Sequence, residues 1–364
     1  MEKDAEKMQL IRREELVAEN RRQIHGGDIY RNPHVTDFSV NSNPLGIPET
    51  VLRTVRMNVE NMVHYPDMWC SELRKSIGNF EKTEMEHILC GNGAAELFFA
   101  AVLAVKPEHA LVTAPAFSEY ERALQVVDAE VEYYRLQKDH QFKVEENILD
   151  QITPQTDMVF LCNPNNPTGQ VTEKAVIQEI LKKCRECKAV LLLDECFLDF
   201  LEEPNQYGSK EYLKDYPELL IIKAFTKIFC MPGIRLGYAI STNQKLLGQM
   251  KKMLQPWNVS VLAQEAGKAA LQNPEEYLNQ TRTYIRLQKK WMIKELEKIG
   301  YRVYGSCANY IFFSGKPGLY EQALKAGFLI RDCQNYEGLM EGYYRIAVRT
   351  QEENERLIVW LREL

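Results

Sequence analysis

Short apolar runs punctuate the chain from residue 88 onward, and most do not alternate with polar residues. They are ILCGNGAAELFFAAVLAV (88–105), ALVTAPAF (110–117), EVEYYRL (130–136), DMVFLCNPNNPTG (157–169), AVLLLDECF (189–197) and LLIIKAF (219–225). Strand-length apolar segments separated by helical stretches predict a mainly parallel sheet covered by helices on both faces, an α/β architecture. The pattern is helical from residue 242 to about Ile299. Beyond it, strands (302–303, 310–313, 344–348) alternate with helices, which predicts a smaller α+β unit. We therefore expect an N-terminal arm at 1–36, a large domain at 37–255 and a small C-terminal domain at 256–364, with the arm packing near the small domain.

Upstream of the sheet the signals are local. Residues 1–24 are rich in Glu, Lys and Arg and read either as a charged helical arm or as a solvated leader. His25-Gly26-Gly27 is a turn signal carrying a histidine. A short strand at DFSV leads into the Asn/Pro/Gly loop through Gly46, where Asn41 and Asn43 can offer amides to a ligand or serve the turn. A helix is expected from roughly Glu49 to Asn61.

Composition narrows the class. A chain of 364 residues with 45% hydrophobic and 26% charged residues has the make-up of a soluble globular protein. The net charge of −6 argues against nucleic acid or an anionic membrane as a partner, and no apolar run approaches the ~20 residues of a membrane span. No signal peptide is expected at the start. The nine cysteines lack framework spacing and fit reduced thiols in a cytoplasm. Cys184 and Cys187 form a CxxC without a second pair at zinc-ligand spacing, so no metal site is expected.

The candidate chemistry centres on AFTKIFCMPGIRLGY (224–238), where a buried run delivers Lys227. A lysine there either snorkels to solvent or is held desolvated, as when it forms an imine with pyridoxal 5′-phosphate (PLP). Asn166, Asp194 and Lys227 all fall near the carboxyl ends of predicted strands, where ligands of such sheets collect. The other needs of PLP have candidates too. Asp194 can keep the ring nitrogen protonated, Phe117 can stack on the ring, and Asn166 can bond its O3′. Arg235, Thr226 and the amides around Gly93 and Ala94 can cradle the phosphate. Each has a plainer reading: Asp194 as a cap, Phe117 as core, Asn166 as turn chemistry.

The order GNG, AF, NPNNPTG, DE, TK, PGIRLGY resembles the fold-type I PLP enzymes of the aminotransferase class I/II group, especially their histidinol-phosphate aminotransferase branch. The resemblance runs from His25 onward and implies a large domain built on a seven-stranded sheet. It also implies a homodimer in which Tyr65, in HYPD, reaches the PLP phosphate of the partner subunit. HGG (25–27), LQPWNVS (254–260), LIRDCQNYEGL (329–339) and YYRIAVR (343–349) look more specifically like the L-threonine-O-3-phosphate decarboxylases of cobalamin synthesis. So does Phe197, where aminotransferases usually carry a tyrosine three residues after the aspartate. Ala224 departs from the hydroxyl residue usual three before the lysine, which removes one phosphate contact.

By this resemblance Arg345 holds a substrate carboxylate, while Arg331, His25 and Arg349, with Asn41 nearby, face a substrate phosphate; a surface salt bridge is the other reading of Arg349. The implied reaction is decarboxylation of L-threonine O-3-phosphate to (R)-1-aminopropan-2-ol O-phosphate. A histidinol-phosphate-type aminotransferase using 2-oxoglutarate is the alternative, and a non-catalytic PLP-binding protein is a third reading. Serine phosphate differs from threonine phosphate by one methyl, a group that changes selectivity by only ~1–3 kcal/mol.

Overall fold

The computed structural model describes residues 25–364; the charged arm expected over 1–24 lies outside the described residues. The runs without alternation form the centre of one sheet. Strands β2 (Ile88–Gly91), β3 (His109–Ala114), β4 (Glu130–Arg135), β5 (Met158–Cys162), β6 (Val190–Asp194), β7 (Leu219–Ala224) and β8 (Gly237–Ile240) line up in the order β2-β8-β7-β6-β5-β3-β4. Pairings among β3 to β7 are parallel, and β8 alone runs antiparallel to both its neighbours. The seven-stranded, mainly parallel sheet is the one expected. Every residue of β5 and β7 is buried, which explains why those strands read as continuous apolar runs. Each fully buried Leu or Ile there contributes about 1.5–3 kcal/mol.

Helices cover the sheet. Among them are α1 (Glu49–Met57), α2 (Ser71–Glu81), α3 (Ala94–Val105), α4 (Glu119–Gln125) and α5 (Lys174–Cys187). The first is shorter than expected: it ends at Met57, and a 3-10 turn at Val59–Val63 follows. Next in the chain come α6 (Gln244–Met253), α7 (Val261–Ala270) and the long α8 (Glu275–Lys298). No helix among the described residues is long and apolar enough to cross a membrane.

The C-terminal region builds a four-stranded sheet from β9 (Arg302–Val303), β10 (Tyr310–Ser314), β12 (Arg331–Asp332) and β13 (Tyr343–Ala347), with α9 (Leu319–Lys325) and α10 (Gln351–Arg362). The short strand at the start of DFSV, β1 (Thr36–Asp37), does not join the large sheet. It pairs in parallel with β11 (Phe328–Leu329). Beyond it, Phe38 O accepts from Ala347 N and Ser39 O accepts from Arg345 Nη2. Residues 36–39 therefore lie along the C-terminal sheet and lead the chain from it into the large sheet's cleft.

The candidate active site

Three strand ends set the floor of the site. Asp194 is the last residue of β6 and is buried. Asn166 lies four residues past the end of β5, in the NPNNPTG loop. Lys227 lies past the end of β7, in one helical turn, Phe225–Ile228, rather than in the strand itself. That turn is clamped from two sides. Asn43 N donates to Lys227 O at 3.0 Å, and Asn43 Nδ2 donates to Ile228 O and Thr281 Oγ1, each at 2.8 Å. Tyr277, on α8, donates to Gly46 O at 2.7 Å and to Ile228 O at 3.2 Å. The two loop asparagines thus divide their duties: Asn43 is structural, while Asn41 is buried with its Oδ1 lacking a partner.

Electrostatics then prepare the two key groups. Burial lowers the Lys227 amine to about 8, helped by the nearby Arg345 and Arg235 guanidiniums against the pull of Cys196 and Asp37. Its neighbour in sequence Lys223 points elsewhere, to a buried ionic group with Glu81 (2.7 Å) and Asp199 (3.1 Å), so the two lysines serve different ends. Burial raises the Asp194 carboxyl, opposed by hydrogen bonds from Cys196 and Tyr120 and by Lys227. Tyr120 Oη donates to Asp194 Oδ2 at 2.6 Å and Cys196 N to Oδ1 at 2.9 Å. Tyr120, wholly buried on α4, is a site residue that sequence reasoning missed. Its place three residues after Phe117, at the start of the helix that follows, was the available signal.

A phosphate-sized cradle sits at the start of α3. Gly93 has φ +83°, and a Cβ there would come within 2.6 Å of Arg235 Nη2. The glycine is what lets the guanidinium approach the helix N-terminus at Ala94. Gly237 is equally constrained, since its Cβ would meet Ala94 N at 2.7 Å. Thr226 is buried beside Lys227. Phe117 is half-buried, with its ring edge-on to Tyr120 at 5.9 Å. Phe197 is buried edge-on to Tyr310 at 5.1 Å.

Two arginines of the C-terminal sheet complete the arrangement. Arg345, on β13, is buried. It donates through Nη1 to Asn166 Oδ1 and through Nη2 to Ser39 O at 2.6 Å, while Nε has no partner. Arg331, on β12, pairs with Arg345 across the sheet, is also buried, and lies over the Tyr336 ring at 5.0 Å with Nη2 donating to Asn335 Oδ1 at 2.8 Å. Among the described residues no carboxylate lies within ion-pair distance of either. Two buried guanidiniums without counter-ions are costly unless an anion joins them. His25 stands 6.0 Å from the Phe117 ring and bonds Glu119. Arg349 is placed differently: its Nε and Nη2 form a two-point pair with Glu353 at 3.1 and 2.8 Å. Tyr65 is exposed, its ring tilted against Trp257 at 4.6 Å.

The residues fit PLP. A desolvated amine, an acid for the ring nitrogen, an amide donor beside Arg345, a stacking ring and a glycine-lined cradle with an arginine fall in one cleft, at the carboxyl ends of the strands. No group of three or more metal-ligating side chains gathers among the described residues.

An α/β sheet of this topology carrying that constellation defines a PLP-binding enzyme of fold type I. The family model for aminotransferase class I and II matches residues 33–361, and the chain belongs to that family. Over 352 residues it is 34% identical to the threonine-phosphate decarboxylase of Salmonella typhimurium, covering 93% of this chain and 96% of that one. Among solved structures it resembles the histidinol-phosphate aminotransferase of Clostridium acetobutylicum (TM-score 0.84, 31% identity, 90% of this chain and 98% of that one). It also resembles the L-threonine-O-3-phosphate decarboxylase of Porphyromonas gingivalis (TM-score 0.79, 25% identity, 90% and 98%).

Proposed function

We propose that the protein decarboxylates L-threonine O-3-phosphate to (R)-1-aminopropan-2-ol O-phosphate and CO2, with PLP, for cobalamin synthesis. The observation that carries this reading is the pair of buried, carboxylate-free guanidiniums, Arg345 and Arg331, side by side on neighbouring strands. A substrate with one carboxylate and one phosphate supplies an anion to each. The 34% identity to a threonine-phosphate decarboxylase supports it. Bound PLP supplies an electron-withdrawing ring conjugated to the substrate nitrogen.

Lys227 holds the cofactor, and Asp194 keeps a negative charge at the ring nitrogen so that the ring stays protonated. Asn166 holds O3′ and Phe117 the ring face, while Gly93, Ala94, Thr226 and Arg235 take the cofactor phosphate. Arg345 would bind the substrate carboxylate and fix its orientation, and that orientation would select the bond that breaks. His25, Arg331 and Asn41 receive the substrate phosphate. When the Cα–carboxylate bond breaks, its electron pair stays with Cα and CO2 departs. The Lys227 amine, released from the cofactor when the substrate amine takes its place, would then carry a proton back to Cα. Arg349 is committed to Glu353, and we leave it out of the substrate set.

The active unit is a homodimer. Met57, Met62, Val63, Tyr65, Trp69 and Trp257 leave exposed apolar surface that a second copy would cover, bringing Tyr65 to the cofactor phosphate of that copy. The enzyme works in the cytoplasm, where its nine cysteines stay reduced. Incubating purified holoenzyme with L-threonine O-3-phosphate and no keto acid, and detecting aminopropanol phosphate, tests the reading.

A further inference from the structure

Glu119 is a buried carboxylate, the first residue of α4, two residues after Phe117. Its position is unexpected, because it contacts His25, the histidine assigned above to the substrate phosphate. A carboxylate there repels the ligand unless cations hold it. His25 Nε2 lies 3.0 Å from Glu119 Oε1, and Arg122 Nη1 lies 3.6 Å from the same oxygen. The hydrogen bond from His25, then the charges of His25 and Arg122, hold the Glu119 carboxyl below its ordinary range against the effect of burial. Glu119 is thus an anion at neutral pH, with its charge directed at the imidazole.

The imidazole has its other nitrogen to offer. Among the described residues Nδ1 of His25 has no partner; with Nε2–H directed at the carboxylate, Nδ1 carries a hydrogen for a ligand in the imidazolium form of the ring. The backbone of this turn is also fixed. Gly27 N donates to Ser39 Oγ at 2.8 Å, and a Cβ on Gly26 would lie 2.5 Å from Ser39 O, the oxygen that accepts from Arg345. One side of the turn is therefore tied to the Arg345 site. The ring itself is held by Glu119 and lies 6.0 Å from Phe117.

We propose that Glu119 is a positioning residue for phosphate recognition: by engaging Nε2–H of His25 as an imidazolium, it turns Nδ1–H of that ring toward the substrate phosphate. It also ties the phosphate-binding histidine to α4, which carries Tyr120 and follows the loop of Phe117, so phosphate capture is linked to the segment proposed to stack on the ring. The inference rests on the decarboxylase reading, which puts the substrate phosphate at His25. Nothing in it requires Glu119 to touch the substrate.

The test uses the full-length holoenzyme, in which the cofactor fills its own phosphate cradle, and the variants Glu119→Ala and Glu119→Gln. Glutamine still accepts from Nε2–H but has no charge. We expect Glu119→Ala to raise KM for L-threonine O-3-phosphate about tenfold with kcat changed less than twofold, and Glu119→Gln to raise it about threefold. Calorimetry with inorganic phosphate should show the same order of weakening. Unchanged phosphate affinity in Glu119→Ala, or a fall in kcat that matches the fall in kcat/KM, overturns the proposal. Should wild type release no CO2 from L-threonine O-3-phosphate, the decarboxylase reading fails, and the phosphate calorimetry still decides the role of Glu119.

Discussion

Tyr120 donates its hydroxyl hydrogen to Oδ2 of Asp194 at 2.6 Å, inside the core between β6 and α4. The contact fixes the rotamer of Asp194, the acid proposed to face the pyridine nitrogen, and helps keep it charged despite burial. Tyr120→Phe removes it and leaves a buried carboxylate short of a donor. The expected cost is about 1–3 kcal/mol of stability, seen by denaturant titration. A fall in kcat of about tenfold should accompany it, because less charge then faces the ring nitrogen. Unchanged kcat would make Tyr120 a packing residue only.

The Lys227 amine sits near 8 rather than at an ordinary lysine value because burial and two guanidiniums disfavour its charge. Only the neutral amine attacks a carbonyl. The rate at which apoprotein takes up PLP should therefore rise about tenfold per pH unit below 8 and level off above it. Stopped-flow absorbance between pH 6.5 and 9.5 reads the break directly. A rise that continues toward pH 10 would mean that the amine is not desolvated. Stability carries the same sign: the folded apoprotein binds Lys227's proton less tightly than the unfolded chain, so it gains stability as pH climbs from about 8 to the ordinary lysine range.

Arg331 and Arg345 are adjacent on β12 and β13 but face different anions in the account above. Arg331→Ala should raise KM for the phosphorylated substrate about a hundredfold while leaving binding of unphosphorylated L-threonine nearly unchanged. Arg345→Lys keeps the charge but loses the planar fork that reaches both Asn166 and Ser39. Its kcat should drop more than its KM rises, because the carboxylate is held at the wrong angle. Steady-state kinetics on the two variants separates the roles.

Tyr65 is exposed and lies on an apolar surface, so its contribution is best tested between subunits. Lys227→Ala and Tyr65→Ala homodimers should each be nearly inactive. Unfolding and refolding them together in equal amounts should restore about a quarter of wild-type activity, since half of the dimers then carry one intact site. No recovery would place Tyr65 in its own subunit's site or outside both.

Much of this was legible before any coordinates. The buried strands announced themselves because parallel strands covered on both faces need no polar positions, and Asn166, Asp194 and Lys227 followed from where those strands end. What the pattern concealed is equally physical. The antiparallel β8 is a short strand, GYAI, that follows the functional loop directly and carries no alternation signal. The pairing of β1 with β11 joins residues far apart in sequence, and two-residue strands have no periodicity to read. Arg349 matched a motif, yet the helix that follows supplies Glu353 one turn later and engages its Nε and Nη2. Glu119 and Tyr120 looked like ordinary helix residues in FSEYER; only folding brings them against His25 and Asp194.

The central claim is that Arg345 presents the carboxylate, and not the Cα hydrogen, for cleavage. The most direct measurement supplies carboxyl-labelled L-threonine O-3-phosphate to the holoenzyme together with 2-oxoglutarate, and follows labelled CO2 and glutamate in the same tube. The account predicts one CO2 released per substrate consumed and no glutamate above background. Glutamate formed in step with substrate loss, with the label retained in a keto acid, would contradict it and make the protein an aminotransferase.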